Sequence, residues 1–187
     1  MLTLFLSILL VVNVQSVVLD RQQLMKWFPT TYNTSELIDM NFRQITSISV
    51  DTFPGLTNLY ELYLHRNQLT NIEPNTFNGL PELRYLSLWG NALTSIEPTL
   101  FNELIYMQYL YLDNNYITSL DPNLFSKMTE LKYLGLYNNK LTAIDRNIFV
   151  GLVDLLQVWL GTNPISILQP AYVRQLCSTN PKCVISL

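Results

Sequence analysis

The sequence predicts an α/β solenoid, an arc with short parallel strands on its concave side and an irregular convex side. The same side-chain types recur at a constant spacing over most of the 187-residue chain. This spacing equals the sequence separation between Asn67 and Asn91. At the start of each unit, leucines alternate with other residues in the period of a strand. A proline later in several units prevents a long helix and favours a tight, irregular return. A unit this short cannot bury both faces of its strand alone, so it is stable only when stacked on its neighbours.

Four rows of recurring residues define the units. No insertion interrupts their spacing, so chance does not account for it. A partial sixth unit begins at Leu155, after five full units at 35–58, 59–82, 83–106, 107–130 and 131–154. The rows are Asn67, Asn91, Asn115, Asn139 and Asn163; Phe53, Phe77, Phe101, Phe125 and Phe149; Leu64, Leu88, Leu112, Leu136 and Leu160; and Ile48, Ile72, Ile96, Leu120 and Ile144.

Each row has a predicted place in the solenoid. The leucine and isoleucine rows fill the interior, and the phenylalanine row packs beneath the convex side. A buried amide is costly unless it is hydrogen-bonded. Because an asparagine side chain both donates and accepts, we expect the asparagine row to join backbone groups of adjacent turns. Arg43 takes this position in the first unit, which predicts a more exposed turn there.

The repeating unit, LxxLxLxxNxLxxIxxxxFxxLxx, resembles the extracellular class of leucine-rich repeat over about residues 35–165. The resemblance implies a horseshoe or arc with one short parallel strand per repeat on the concave side. It also implies a role in recognition, as in adhesion, guidance and immune receptors. Members of this class commonly carry cysteine-bearing caps at both ends, and this chain departs from that pattern.

Residues 1–16 are interpreted as a signal peptide. The segment has no charged side chain, and its apolar run Leu2–Val12 is shorter than the roughly 20 residues that span a bilayer. Small residues before the predicted cleavage point suit processing after Ser16. A first core helix and an uncleaved signal anchor extending to Leu19 are the alternatives. Export would make the protein secreted and extracellular, and no later segment is apolar enough to span a membrane.

The repeats, assigned to residues 35–166, are expected to lie between two unusual caps. Residues 17–34 contain no cysteine, so this atypical N-terminal cap must depend on packing by Leu24, Trp27 and Phe28.

Residues 167–187 are assigned to a C-terminal cap with a cysteine pair. Within it, Leu168–Leu176 has the pattern of an amphipathic helix. In a secreted chain, an even pair of cysteines predicts a disulfide, here between Cys177 and Cys183. Asn33 begins the single N-glycosylation sequon, which is used only if the chain is exported.

Composition excludes several classes of function. Net charge is −3 and charged residues make up 13%, so there is no basic excess for nucleic acid. His65 is the only histidine, which excludes a zinc site with several imidazoles and leaves Ser/His/Asp catalysis without an evident pocket. One carboxylate per convex turn is too sparse for calcium. We therefore predict no enzyme activity, no cofactor and no metal.

The predicted concave positions carry an unusual number of aromatic residues. Tyrosine and tryptophan bury a large area at low entropic cost and dominate binding hot spots. The alternative is a purely stabilising ladder, since neighbouring strands lie about 4.8 Å apart and rings on them can stack. The candidate ligand-binding residues are Tyr63, His65, Tyr85, Trp89, Tyr109, Tyr111, Tyr133, Tyr137 and Trp159.

These features predict a secreted recognition module that binds an extracellular or cell-surface protein, or a glycan, through its concave face. The mixed charges around the aromatic residues suit such a partner better than a polyanion. The alternatives are a structural matrix component whose function is self-association, and a truncated receptor ectodomain. The sequence predicts neither the ligand nor the oligomeric state.

Overall fold

The computed structural model describes residues 16–31, 33–165, 176 and 180–187, which form a parallel-strand solenoid of about six turns. Its strands are short and the described part contains little helix. In chain order the elements are β1 (Val17–Leu19), α1 (Arg21–Trp27), β2 (Leu37–Asp39), β3 (Ile45–Ile48), β4 (Glu61–Tyr63), β5 (Tyr85–Ser87), β6 (Tyr109–Tyr111), β7 (Tyr133–Gly135), β8 (Gln157–Trp159) and β9 (Val184–Ser186).

The concave side is a parallel sheet of seven strands in the order β2-β4-β5-β6-β7-β8-β9. From β2 to β8, each residue pairs with its equivalent one repeat later, as Tyr85 does with Tyr109 and Leu86 with Leu110. The predicted arc with one short strand per repeat is thereby confirmed. β1 and β3 form a separate two-stranded parallel sheet at the N-terminal end.

The leucine and phenylalanine rows form one continuous apolar core. Phe77 is fully buried, and its ring centroid lies 6.0 Å from that of Phe53 and 6.3 Å from that of Phe101. In the isoleucine row, Leu120 is only partly buried. The first three phenylalanine rings therefore stack from turn to turn, and the whole row is buried in the same core as the leucines.

The asparagine row joins adjacent turns through backbone groups, as its chemistry predicts. Asn115 Nδ2 donates to Leu112 O at 3.0 Å and to Leu88 O, one turn earlier, at 3.1 Å. Asn115 Oδ1 accepts from Leu93 N at 3.0 Å. The same three bonds recur at Asn91 and at the other members of the row from Asn67 to Asn163. These amides pair strand-end carbonyls and turn amides that the bend would otherwise leave unpaired.

The N-terminal turn is covered by β1 and α1. Asp20 caps the helix by accepting from Gln23 N at 2.7 Å, and Leu24 is fully buried. Trp27 packs against the core, and the Arg43 guanidinium lies 4.7 Å from its ring centroid. Arg43 is exposed at the position where later repeats bury asparagine.

The sheet continues into the C-terminal segment, which the repeat pattern does not predict. β9 pairs with β8, and Gln157 lies opposite Val184. The number of residues between these two partners is larger than that between Tyr133 and Gln157, which are paired one repeat earlier. Asn180 is buried and donates to Leu155 O at 2.6 Å. The final turn is therefore longer than the repeat, and a different asparagine satisfies its backbone.

Some predictions concern residues outside the described part of the chain: the leader up to residue 15, the helix over 168–175, and Cys177. The disulfide therefore stays a prediction, and Cys183 is partly buried against the core. Asn33 is exposed, so its side chain is accessible for glycosylation, which likewise stays a prediction. Among the described residues, no helix has the length and apolar content needed to cross a membrane.

Candidate functional site

Strand alternation turns the aromatic residues outward on the concave face. In β6, Leu110 is fully buried while Tyr109 and Tyr111 on either side of it are partly exposed. In-register pairing then sets Tyr109 between Tyr85 and Tyr133 on the neighbouring strands. The sheet thus brings together rings that lie a full repeat apart in the sequence.

Six of these rings touch one another in a group that we call the aromatic stack. Its closest pairs are Tyr63 with Tyr85 at 4.8 Å between centroids and Tyr109 with Tyr133 at 5.1 Å. Further contacts of 5.5–6.3 Å join Tyr85 to Tyr109 and Tyr111, and join Trp159 to Tyr111 and Tyr133. The members of the aromatic stack are Tyr63, Tyr85, Tyr109, Tyr111, Tyr133 and Trp159.

Near-parallel rings within the aromatic stack cover part of one another's faces. The Tyr109 and Tyr133 rings are inclined by only 10°, and Tyr133 and Trp159 by 18°, so these neighbours cover one another's faces. Such pairs contribute about 0.5–1.5 kcal/mol each beyond area burial. The stack therefore stabilises the sheet and also presents a firm surface.

Burial raises the pKa of three tyrosines of the stack, namely Tyr63, Tyr85 and Tyr111. Burial raises the pKa of Tyr111 to about 12, with smaller contributions from neighbouring tyrosines and Asp113. Burial, and then the bond that the Tyr63 hydroxyl donates to Glu61 at 2.6 Å, raise the pKa of Tyr63. These hydroxyls are therefore neutral hydrogen-bonding groups at physiological pH.

A second group, which we call the Arg66 cluster, lies beside the stack and consists of Phe42, His65, Arg66 and Trp89. The Arg66 guanidinium lies 4.5 Å from the Trp89 ring centroid and 5.4 Å from that of Phe42. His65 contacts Trp89 at 5.7 Å and Tyr63 of the stack at 6.3 Å. Burial lowers the pKa of His65, partly offset by Asp39, so this imidazole is neutral at pH 7.

The turn that follows each concave strand from β2 to β8 contains one residue with a left-handed backbone. Gly90, Asn114 and Asn138 adopt it with φ of 68°, 55° and 51°, and these residue types tolerate it well. Phe42, Arg66 and Thr162 occupy the same place with φ of 56°, 54° and 59°. A bulky residue in this conformation costs about 1–3 kcal/mol, so two strained residues lie side by side in the Arg66 cluster.

Asp113 lies in a hollow that Gly135 creates. A methyl group at Gly135 would overlap the Asp113 carboxylate, and Gly135 is flanked on the neighbouring strands by Tyr111 and Trp159. Asp113 Oδ1 accepts from Tyr137 N at 2.9 Å. Burial raises the pKa of Asp113 to about 6 despite this hydrogen bond and one from its own backbone.

Replacing Asp113 with asparagine is expected to stabilise the protein at pH 7 by about 2 kcal/mol. Folding raises this pKa from 3.8 to about 6, so the folded state binds the proton more tightly between those values. Stability therefore falls as pH rises through that window, and the penalty is fully present above it. Asn41 makes the equivalent bond with its Oδ1, accepting from His65 N at 2.8 Å, so an amide fits this position.

The measurement is urea denaturation of both proteins at pH 4 and pH 7. The Asp113→Asn variant should gain stability over the wild type at pH 7 and lose most of that gain at pH 4. His65 and the other titrating groups are common to both proteins, so their contributions cancel in the difference. An equal difference at both pH values would contradict a buried, titrating Asp113.

Ring contacts join all of the predicted binding residues except Tyr137, and Trp89 is joined to the others only through His65. Trp89 contacts His65 and Arg66, and within the described residues it makes no ring contact with Tyr85 or Tyr109. Tyr137 is 44% exposed and, in the same part of the chain, makes no ring contact. Apart from Tyr137, the predicted binding residues therefore form the aromatic stack and, joined to it through His65, Trp89 of the Arg66 cluster.

The sequence placed Asp113 and Gly135 at concave positions and Arg66 among the charges beside them, but it did not predict Phe42 as part of this face or the contacts that these residues make. Phe42 and Arg66 occupy the position where Gly90 and later asparagines stand, which was a usable signal of strain. Gly135 was equally visible, since every other repeat has a side chain at its position.

The opposite flank carries a smaller cluster of similar composition. The Arg84 guanidinium lies 5.2 Å from the Tyr60 ring centroid and 5.8 Å from that of Tyr106. The Arg84 Nε is buried and has no hydrogen-bond partner among the residues that the structure describes. Within the described residues, no group of three histidine, cysteine or acidic side chains is placed to hold a metal ion.

Known proteins share this architecture. The family model for the leucine rich repeat matches residues 36–93, 81–141 and 106–165. No curated protein matches the chain. Among solved structures, the APL1 leucine-rich repeat domain is similar, with 25% identity and a TM-score of 0.72 over 81% of this chain and 38% of that one.

Two receptor complexes are also similar. The Toll–Spatzle complex from Drosophila has 26% identity and a TM-score of 0.68, over 72% of this chain and 18% of that one. The TLR13–ssRNA13 complex has 32% identity and a TM-score of 0.65, over 71% and 18%. The chain thus spans about two-fifths or less of the length of these solved chains. Since the family model covers more than half of this chain and the fold agrees with it, the chain belongs to the leucine-rich repeat family.

Proposed function

We propose that the chain is a secreted recognition module that binds a protein ligand through the aromatic stack. The observation that carries the proposal is the stack itself: six tyrosine and tryptophan rings on five consecutive strands of one concave sheet. The leucine core lies beneath the strands and does not require them. Rings of these two types are enriched at interface hot spots.

The arrangement of the rings favours a protein over a glycan. A sugar that packs on an aromatic side chain needs a free ring face, and here Tyr109, Tyr133 and Trp159 cover one another's faces. Ring edges carry partial positive charge, and the hydroxyls are neutral donors. Such a surface suits the carbonyl and carboxylate oxygens of a polypeptide.

The solved relatives support recognition without naming this chain's ligand. One was solved with Spatzle, another as LRIM1/APL1C, and a third with single-stranded RNA. The net charge of −3, with Asp39, Glu61 and Asp113 on the concave face, disfavours RNA here. Secretion is supported by the apolar leader at residues 1–16 and by the exposed sequon at Asn33.

Replacing Tyr109 with alanine is expected to weaken ligand binding by about 2 kcal/mol, or roughly 30-fold. Tyr109 lies between Tyr85 and Tyr133, so its loss interrupts the stack at its centre. The measurement starts with residues 17–187 as immobilised bait in extracellular fluid. The captured protein is then purified, and its affinity for each variant is determined by calorimetry.

Glu97→Ala is the matched control, because Glu97 is exposed on the convex side. The control should bind like the wild type. If both variants bind equally well, the aromatic stack is only a stabilising ladder. Self-association of the wild type in sedimentation, with no ligand captured, would support a matrix or scaffold function instead.

A further inference from the structure

We infer that Arg66, held between Phe42 and Trp89, binds a carboxylate side chain of the protein ligand, an aspartate or a glutamate. The inference rests on the proposed recognition function and adds a charged subsite beside the aromatic stack. Phe42 and Arg66 are not among the residues that sequence reasoning assigned to binding.

The first argument is the position of the guanidinium. Arg66 lies over the Trp89 ring at 4.5 Å and near the Phe42 ring at 5.4 Å, so aromatic faces hold it in place. Gly90 lies alongside its aliphatic part, where a methyl group would come within 3.4 Å of Arg66 Cγ. A guanidinium held by its faces still offers its N–H edge. This edge matches the two oxygens of a carboxylate.

The second argument is charge. Within the described part of the chain, no carboxylate lies within ion-pair distance of Arg66, and the side chain is exposed. The neighbouring His65 is neutral at pH 7, because burial lowers its pKa. The cluster therefore presents one cation with no counter-charge in direct contact with it, although Asp39 is near enough to influence the neighbouring His65. An acidic side chain of the ligand would supply that counter-charge.

The third argument is backbone strain that packing does not compensate. Phe42 and Arg66 have left-handed backbones in a turn where glycine and asparagine fit best, and Thr162 in the last repeat is the third such residue at this position. Phe42 is 64% exposed, so its side chain gains little from burial. Strained residues of this kind are concentrated at binding sites. Here both border the same depression.

The fourth argument is shape. Phe42, Arg66, Trp89, Gly90 and Asn114 are among the residues that line a shallow depression of about 480 Å³. That volume accommodates an acidic side chain and part of its backbone. His65 joins the depression to Tyr63 of the aromatic stack at 6.3 Å. A polypeptide that crosses the stack can therefore place one acidic residue against Arg66.

The test uses two tripeptides as probes on the isotope-labelled chain. Acetyl-Gly-Glu-Gly-amide carries the carboxylate, and acetyl-Gly-Gln-Gly-amide is its neutral isostere. Nuclear magnetic resonance follows the Arg66 Nε–H and Trp89 indole signals during titration. We expect saturable shifts with the glutamate peptide in the millimolar range and none with the glutamine peptide. Arg66→Gln should reduce the affinity for the glutamate peptide at least tenfold. The affinity of Arg66→Lys should lie between those of the wild type and Arg66→Gln, because lysine keeps the charge but lacks the paired N–H donors of the guanidinium.

Arg146→Gln is the matched control, since it removes the same charge from an exposed convex turn and should leave affinity unchanged. Equal binding of both tripeptides, or no saturable shift with either, would overturn the inference. Tighter binding of a methyl sialoside than of the glutamate peptide would also overturn it, in favour of an acidic sugar. If a captured protein ligand tolerates Arg66→Gln but not Tyr109→Ala, the proposed function stands and this subsite is wrong. If the glutamate peptide binds at Arg66 but no protein is captured, the subsite stands without the function.

Discussion

Replacing Phe77 with alanine is expected to lower the free energy of unfolding by about 3–5 kcal/mol. Phe77 is fully buried as the second member of the phenylalanine row, with the ring centroid of Phe53 at 6.0 Å on one side and that of Phe101 at 6.3 Å on the other. Truncation removes both ring contacts and leaves a cavity between two turns. Because each repeat is stable only through its neighbours, a defect at this interface weakens the whole array.

Urea denaturation followed by circular dichroism measures this effect. Tyr116→Ala is the control, since Tyr116 is 54% exposed and its truncation removes a ring of similar size without opening the core. We expect the control to stay within about 0.5 kcal/mol of the wild type. The prediction would be wrong if the Phe77 and Tyr116 variants had equal urea midpoints and equal slopes of unfolding free energy against urea concentration. The phenylalanine row would then not be a main contributor to the stability of the core.

Replacing Asn115 with alanine is expected to destabilise the protein by about 2–3 kcal/mol. Leu93 N would lose the Asn115 Oδ1 acceptor and stay buried without a partner. The carbonyl groups of Leu88 and Leu112 would each lose one of two donors, because Asn91 and Asn139 also bond to them. Asn91 and Asn139 therefore keep the Leu88 and Leu112 carbonyl groups hydrogen-bonded, whereas nothing replaces the lost acceptor of the Leu93 amide.

Asn123→Ala is the matched control for this prediction, measured in the same urea titrations. Asn123 is exposed on the convex side, and there its backbone N–H, not its side chain, bonds to Asp121. The control should therefore leave the midpoint nearly unchanged. If Asn123→Ala lowers the urea midpoint as much as Asn115→Ala does, the hydrogen bonds of the asparagine row do not contribute specially to stability.

The repeat period was enough to predict the sheet, its register and the core rows. Contacts between equivalent positions of adjacent turns follow directly from a repeat of constant length. Leu86 beside Leu110 and Tyr85 beside Tyr109 are examples. The bonding of Asn115 was also predictable, since a buried amide must satisfy both its donor and its acceptor.

The end of the sheet was less predictable, because it does not follow the repeat. β9 joins the sheet after a longer turn than the others, and Asn180 lies outside the asparagine row. Its pairing depends on how the chain returns over the last turn, and no periodic signal encodes that path. The N-terminal cap was partly predictable from Leu24 and Trp27, which are apolar residues without a repeat to explain them.

The sequence by itself determined which side chains face outward on the concave sheet, because strand alternation and the repeat period are local properties. Only the tertiary structure decided which of them touch. Tyr111 reaches Trp159 across two strands because Gly135 between them has no side chain, and Asp113 enters the same space. Arg66 lies between Phe42 and Trp89 because three consecutive turns bring them together. Such contacts depend on the sizes and rotamers of several neighbours at once, which no single repeat specifies.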